Sequence, residues 1–246
     1  MGLIISVANQ KGGVGKTTSA LNLGSGLNRE GRKVLLIDLD LQTDLTIGLG
    51  LPEASYNIND VMNGRDIKKA ILKMKNGLNV IPASVELKAT QLDLKKTDIL
   101  IKALANIKKE YDFIIIDTNP GMTMLNINSI RASDMILIPI LPEYLSLRGL
   151  KDFTETIEQL NTRFDIKPAK VKILVTNYDV RKAVHTEAID MVRKHFKKKV
   201  YDTVIRTNVA LSESVSHGLS VFDYQINSHG SQDYTSLTNE IMKEVK

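Results

Sequence analysis

Apolar residues fall along this chain in short, β-branched runs, separated by stretches with a helical period. Leu3–Ala8, Val34–Ile37, Leu78–Ile81, Phe113–Ile116, Met135–Ile140 and Val171–Val175 are mostly apolar segments of four to six residues. Runs of that length without strict alternation predict strands buried on both faces. Val200–Ile205 is a further candidate strand. Helical patterns lie between them at Lys16–Arg29, Leu87–Glu110, Met124–Ala132, Ser146–Asn161 and Ala183–Phe196. Gly31 supplies a stop after the first of these. Strands alternating with helices predict an α/β fold, with a mostly parallel, twisted sheet covered by helices on both faces. No Pro/Gly-rich linker interrupts the pattern, so residues 1–246 read as a single domain.

The last predicted helix, Ser231–Lys246, places Tyr234, Leu237, Ile241 and Val245 on one stripe. Its polar face carries Asp233, Glu240, Glu244, Lys243 and Lys246, a net charge of −1. A helix that lies on a membrane surface carries lysine and arginine there instead. The expectation is therefore that this helix packs on the domain, and no membrane partner is expected.

Composition narrows the chemistry. The chain is 43% hydrophobic and 25% charged, ordinary values for a globular domain. It has no run of about 18 apolar residues of the kind that spans a bilayer. The first residues carry neither a basic stretch nor a small-residue cleavage site, so no signal peptide is expected. The absence of cysteine excludes disulfides, iron–sulfur clusters and thiolate metal sites, and fits a cytoplasmic location. The four histidines (His185, His195, His217 and His229) have no metal-site spacing.

Net charge is +5, but it is unevenly spread. Residues 163–206 hold twelve lysines and arginines against five acids. That bias suggests a face for an acidic partner, with a merely solvated lysine-rich surface as the equal alternative. Arg181 and Lys182 stand at the start of a predicted helix, and Arg193, Lys194 and Lys197–Lys199 at its end. On a 3.6-residue period Arg193 shares a face with Lys197, while Val184, Ala188, Met191 and Val192 form the buried stripe. Aromatic residues are scarce here, which favours duplex phosphate contacts over single-strand stacking.

The most specific signal is Lys11-Gly12-Gly13-Val14-Gly15-Lys16-Thr17-Thr18, placed after a predicted strand and opening a predicted helix. Glycines let successive backbone N–H groups turn inward around phosphate oxygens. The helix adds its positive N-terminal end. Lys16 supplies a point charge to the β/γ-phosphates, and Thr17 a hydroxyl for Mg²⁺. The general pattern begins with glycine, but Gln10 stands at that position, and a second lysine, Lys11, precedes Lys16 by five residues. Two further strands end in acids. Asp38 and Asp40 are two residues apart and point to one face in extended geometry, while Asp117 closes an apolar run. Such an acid lies where α/β sheets bind ligands, although it also suits a helix N-cap. Beside the phosphate loop, metal binding is the stronger reading, with Thr17, Asp38 and Asp117 as the candidate ligands.

These blocks resemble the ParA/MinD family of deviant Walker A ATPases, in particular its Soj-like partition branch. Besides the loop, the resemblance is carried by Asp38-Leu39-Asp40-Leu41-Gln42, Asp117-Thr118-Asn119-Pro120, Val175–Arg181, Leu211–Ser214 and Ser216-His217-Gly218. It covers nearly the whole chain. It implies a homodimer assembled by ATP and Mg²⁺, in which Lys11 reaches the phosphates of the opposite subunit and Lys16 and Thr17 act in their own. It implies that Asp40 supports hydrolysis, that Asp117 helps hold Mg²⁺ and that Asn177 lies beside adenine. The implied partners are non-specific double-stranded DNA and a ParB-type centromere-binding protein that stimulates hydrolysis. The implied location is cytoplasmic and nucleoid-associated.

The chain departs from the family pattern in places. Leu41 and Asn119 replace prolines, and Thr207 and Ala210 stand where relatives carry arginines. If DNA binding is retained, Arg206 and the 181–199 cations are the nearest replacements. The alternative functions are a ParA-like ATPase that positions a non-DNA cargo, and a MinD-like membrane-patterning ATPase. The C-terminal stripe argues against the second.

Overall fold

The computed structural model describes residues 2–84, 97–166 and 169–245. The chain begins with β1 (Leu3–Val7), α1 (Lys16–Arg29), β2 (Val34–Leu39), α2 (Asp44–Gly48), α3 (Ile58–Met62), β3 (Leu72–Lys73) and β4 (Asn79–Ile81). It continues through α4 (Ile99–Ala105), β5 (Phe113–Thr118), α5 (Met124–Ala132), β6 (Met135–Ile140), α6 (Tyr144–Arg163) and β7 (Lys170–Tyr178). It closes with α7 (Ala183–Phe196), β8 (Val200–Arg206), α8 (Val209–Ser216), α9 (Val221–Tyr224) and α10 (His229–Glu244).

Among the described residues the strands form one eight-stranded sheet in the order β3-β4-β2-β5-β1-β6-β7-β8. Every pairing is parallel except β3 with β4. The predicted architecture holds, with one short antiparallel edge strand added.

The apolar runs do not alternate because both faces of the sheet are buried. Successive side chains of a strand point to opposite faces. Ile5, Leu36 and Ile115 pack with α1 and α10, whereas Ile4, Leu35 and Ile114 pack against α3 and α4. Ile136, Ile138 and Ile173 continue that second layer under α6 and α7. α1 approaches α10 closely at Gly26, where any Cβ would collide with the Thr238 hydroxyl. A side chain there would displace the Thr238 hydroxyl and press on the Phe222 ring.

The C-terminal helix packs on the domain as expected. Tyr234, Leu237 and Ile241 are buried, while Val245 is exposed. Its acids also bind the sheet. Glu240 accepts from the backbone N–H groups of Asp202 and Thr203, and Asp233 from that of Arg206. Glu244 takes the Tyr201 hydroxyl at 3.0 Å and ion-pairs with Lys170 and Lys172. Lys172 also lies 4.4 Å from the Tyr201 ring centre. No helix among the described residues is long and apolar enough to cross a membrane.

Some expectations need correction. Of the predicted helix 87–110, residues 87–96 lie outside the described residues, and the remainder is α4 followed by a tight turn at Lys108–Glu110. The buried stripe of α7 is Ala188, Ile189 and Val192, and Val184 is exposed. α7 ends at Phe196 and Lys197 takes φ 49°, so Lys197 does not continue the face of Arg193. The short helices α2, α3, α8 and α9 are absent from the periodic pattern. α3 is held by a reciprocal Asn57–Asp60 cap and α8 by the Asn208 side chain, devices too local for a periodicity to reveal.

Candidate functional site

The phosphate loop runs from the end of β1 into α1. Its glycines take the conformations the loop demands. Gly13 and Gly15 have φ of 70° and 84°, and Gly15 caps α1 with no side-chain hydrogen bond. The helix N-terminus is therefore left to a ligand. Side chains brace the loop from outside. The Asn9 amide donates to the Pro139 carbonyl at 2.7 Å and accepts from the Lys11 N–H. The Thr176 hydroxyl lies 2.8 Å from the Val14 carbonyl and 3.0 Å from that of Ile140. The Gly121 N–H donates to the Gln10 carbonyl, tying the loop to the segment after β5.

Lys16 is buried at 6% exposure, and its ammonium donates to the Lys11 carbonyl at 3.2 Å. Burial lowers its pKa, while Asp117, Asp40 and Asp44 partly restore it. Thr17 and Thr18 follow on the first turn of α1, half-buried. Gly12 is exposed and Val14 buried.

Asp38 and Asp117 are register partners on the neighbouring strands β2 and β5, and both are fully buried. Their surroundings differ. Asp38 accepts from the Asp40 N–H at 3.0 Å, the Thr46 N–H at 2.9 Å and the Thr46 hydroxyl at 2.6 Å. It thus organises the turn between β2 and α2, and burial still pushes its pKa up to about 6. Neither oxygen of Asp117 has a hydrogen-bond partner. Burial, and then the charges of Asp38 and Asp40, hold its pKa well above the carboxylate range. The neighbouring Thr17 hydroxyl and the Lys16 charge oppose that shift, Thr17 without full hydrogen-bond geometry. Asp40 lies just beyond β2, buried, and accepts from the Gln42 N–H.

An orphaned buried carboxylate beside a threonine hydroxyl fits a divalent cation. No group of three or more acidic or histidine side chains forms a metal cage among the described residues. Such a site suits Mg²⁺, which is held by one or two carboxylates, a hydroxyl, water and substrate phosphates.

Lys11 is half-exposed, and its ammonium pairs with Glu143, the residue before α6, at 2.7 Å. A cavity of about 240 Å³ opens beside the loop, lined by Gly13, Gly15, Thr18, Asn177, Thr207 and Tyr234 among others. Asn177 sits at an irregularity of β7 with φ 54°, and its side chain reaches Thr207. Spacing gives no sign of the bracing by Asn9 and Thr176, the Thr46 bonds to Asp38 or the Glu143 contact. They depend on tertiary placement.

A family profile described as "AAA domain" matches residues 2–170. The sporulation initiation inhibitor protein Soj of Bacillus subtilis is 38% identical to this chain, covering 98% of each. The chromosome-partitioning ATPase Soj of Treponema pallidum is 36% identical, again covering 98% of each. The structure of cobyrinic acid a,c-diamide synthase from Mycobacterium smegmatis with bound ADP and magnesium superposes with a TM-score of 0.85 at 26% identity. It covers 100% of this chain and 96% of that one.

The chain belongs to the ParA/MinD/Soj family of deviant Walker A ATPases. As a family member it is an ATP-hydrolysing P-loop domain with ATP and Mg²⁺ as cofactors. The structure brings the phosphate loop, Lys16 and Asp117 together at the carboxyl end of the sheet.

The basic residues do not converge in the same way. Arg206 is clamped by Asp233, with an Nη2–Oδ1 distance of 2.6 Å, and also reaches Gln232. Its guanidinium joins β8 to α10, so much of its charge is used within the domain. Arg181 is exposed but paired with Asp179 through two nitrogens. Lys182, at the start of α7, is exposed. Arg193 and Lys197 lie exposed at the far end, with Arg193 donating to the Asp202 carbonyl. The fourteen residues of α7 separate the two groups by about 21 Å, one near the nucleotide edge and one at the opposite edge. The basic segment is two patches rather than one.

Proposed function

We propose that this chain is a partition ATPase whose ATP-bound homodimer binds DNA without sequence preference and leaves it after hydrolysis. The observation that carries this reading is the lysine pair of the phosphate loop. Lys16 already points into its own loop, while Lys11 is directed away, onto Glu143 at the surface. Two ammonium groups crowded at one γ-phosphate from the same side repel each other. Lys11 therefore serves a nucleotide bound by a second copy. Identity of 36% over nearly the full length to proteins named for chromosome partitioning supports the same role.

In this mechanism the backbone N–H groups of Gly12 to Thr18 and the α1 terminus hold the phosphates. Lys16 neutralises charge that develops on transfer. Mg²⁺, when bound, supplies further charge neutralisation, with Thr17 and Asp117 as its protein ligands. Asp38, engaged by Thr46, positions Asp40, and Asp40 orients the attacking water. A site that works by positioning turns over slowly until a partner completes it. A ParB-type protein with a basic segment is the proposed partner, and the nucleoid the proposed location.

For DNA, the exposed cations Lys182, Arg193 and Lys197 are stronger candidates than Arg206 or Arg181, which are paired with acids. Two weak patches gain affinity when a dimer joins them. The deciding experiment is ATP turnover measured alone, with duplex DNA, and with DNA plus the cognate centromere-binding protein. Stimulation that needs both is expected. Rates that ignore DNA and partner alike rule the partition reading out.

A further inference from the structure

Asp117 is followed at once by Thr118-Asn119-Pro120-Gly121, and this segment leads through Thr123 into α5. Asn119 replaces a proline of the family pattern, so the fixed φ of a proline ring is missing there. Gly121, at φ 94°, adds further backbone freedom. The segment nevertheless joins the two halves of the site, because the Gly121 N–H donates to the Gln10 carbonyl just before the phosphate loop. Asn126, 2% exposed on the first turn of α5, restrains it. The Asn126 Nδ2 donates to the carbonyl oxygens of both Asn119 and Gly121, each at 2.8 Å. Carbonyl oxygens only accept, so these two contacts fix which way the amide points and use both of its protons. The Thr123 hydroxyl donates to the remaining end, Oδ1, at 2.9 Å. α5 is itself anchored, with Leu125 buried and the Ser129 hydroxyl 2.5 Å from that of Ser6 on β1.

We infer that Asn126 is a positioning residue of the Mg²⁺-ATP site, whose amide clasps residues 119–121 and so holds Asp117 at a fixed distance from the phosphate loop. The inference rests on Thr17 and Asp117 being the protein ligands of Mg²⁺. β5 ends at Thr118, so a single residue separates Asp117 from the clasped segment. Thr118 is tied to β1 through its hydroxyl, which donates to the Val7 carbonyl. Asn126 extends that tie past the end of the strand, where no ladder continues it. Mg²⁺ demands near-ideal octahedral geometry at about 2.0–2.1 Å, so a carboxylate that drifts by a fraction of an ångström holds it poorly. The phosphates are gripped by several backbone N–H groups and depend less on any one of them. Loss of the clasp therefore falls on the metal before it falls on the nucleotide. Asn126 touches neither ligand and acts through the backbone of Asn119 and Gly121.

Calorimetric titration of the full chain with a non-hydrolysable ATP analogue, in Mg²⁺ and in EDTA, tests this without reading turnover. Asn126→Asp keeps the shape and removes both donors. The gain in affinity that Mg²⁺ brings is expected to fall about tenfold in this variant, the value of one to two hydrogen bonds, while affinity in EDTA stays within about twofold. Thr123→Val, which leaves Asn126 in place but frees its Oδ1, is expected to lower the same gain about threefold, and it decides the matter if Asn126→Asp does not fold. An unchanged gain in every variant that folds overturns the inference. Equal losses in Mg²⁺ and in EDTA also overturn it, because the clasp would then support the phosphate loop or the fold at large. A wild type whose affinity ignores Mg²⁺ overturns the metal assignment itself, a result distinct from both.

Discussion

Two edges of the same sheet treat their acids in opposite ways. At the amino ends of β7 and β8, Glu244 is partly buried but receives Tyr201, Lys170 and Lys172. Burial alone would raise its pKa, yet these donors bring it below the usual value. At the carboxyl ends of β2 and β5, Asp117 is buried more deeply and no donor completes it. A fold can satisfy a buried acid from its own groups, as it does for Glu244 and, at the ligand end, for Asp38, whereas Asp117 beside Asp38 is left open. The unsatisfied end marks where stability has been given up for binding.

Substitutions at the two edges should therefore diverge. The largest effect is expected from Lys16→Ala, which removes the buried cation among Asp117, Asp40 and Asp44. ATP affinity should drop about a hundredfold or more, taking roughly 3 kcal/mol for a broken buried pair. Calorimetric titration measures it, and retention of wild-type affinity would remove the phosphate role of Lys16.

Next comes Glu244→Gln, expected to cost about 2 kcal/mol of stability in urea with nucleotide binding unchanged. The sign with pH follows from the lowered pKa. The stabilisation is present above the ordinary carboxylate pKa and disappears as pH falls through the folded value. The gap between wild type and variant should close in acid, and a gap that widens there would contradict the assigned ion pairs.

Asp117→Asn should do the reverse, raising the melting temperature of the ligand-free chain, by about 1 kcal/mol in stability, while abolishing the extra stabilisation from Mg²⁺ with ATP. Its raised pKa means that wild-type stability linked to this group is present in acid and lost as pH rises. Thermal scans with and without Mg²⁺-ATP separate the two effects, and a destabilised ligand-free variant would remove the contrast between the edges.

The smallest effect belongs to the far end of α7. Lys197→Ala should flatten the log–log salt dependence of duplex binding by about 0.9 for each phosphate it no longer neutralises, counted twice in a dimer. Arg206→Ala should instead lower stability, because Asp233 loses its guanidinium partner and keeps only the backbone N–H of residue 206. A salt slope that moves only in Arg206→Ala would reassign the DNA surface.

Long buried runs and the phosphate loop are legible in the sequence because their physics is local. α1 begins at Lys16 and ends at Arg29 as its glycines predict, and β5 and β6 start where their apolar runs start. The pairing of Asp38 with Thr46, eight residues on, is not legible, nor is the contact of Lys11 with Glu143 across 132 residues. Those depend on which strands become neighbours. Val184 falls outside the buried stripe because an apolar residue at a helix start need not face the core. Arg206 reads as a free cation until α10 returns to place Asp233 beside it.

The carboxylates of α10 on β8 have a consequence for self-association. β8 is an edge strand, and the backbone N–H groups of Asp202, Thr203 and Arg206 are already engaged by Glu240 and Asp233. The opposite edge, β3, is two residues long and carries the exposed Lys73. Among the described residues, neither border offers a long row of free amides on which another chain could template a strand. Copies at high local concentration can thus meet repeatedly without fusing their sheets.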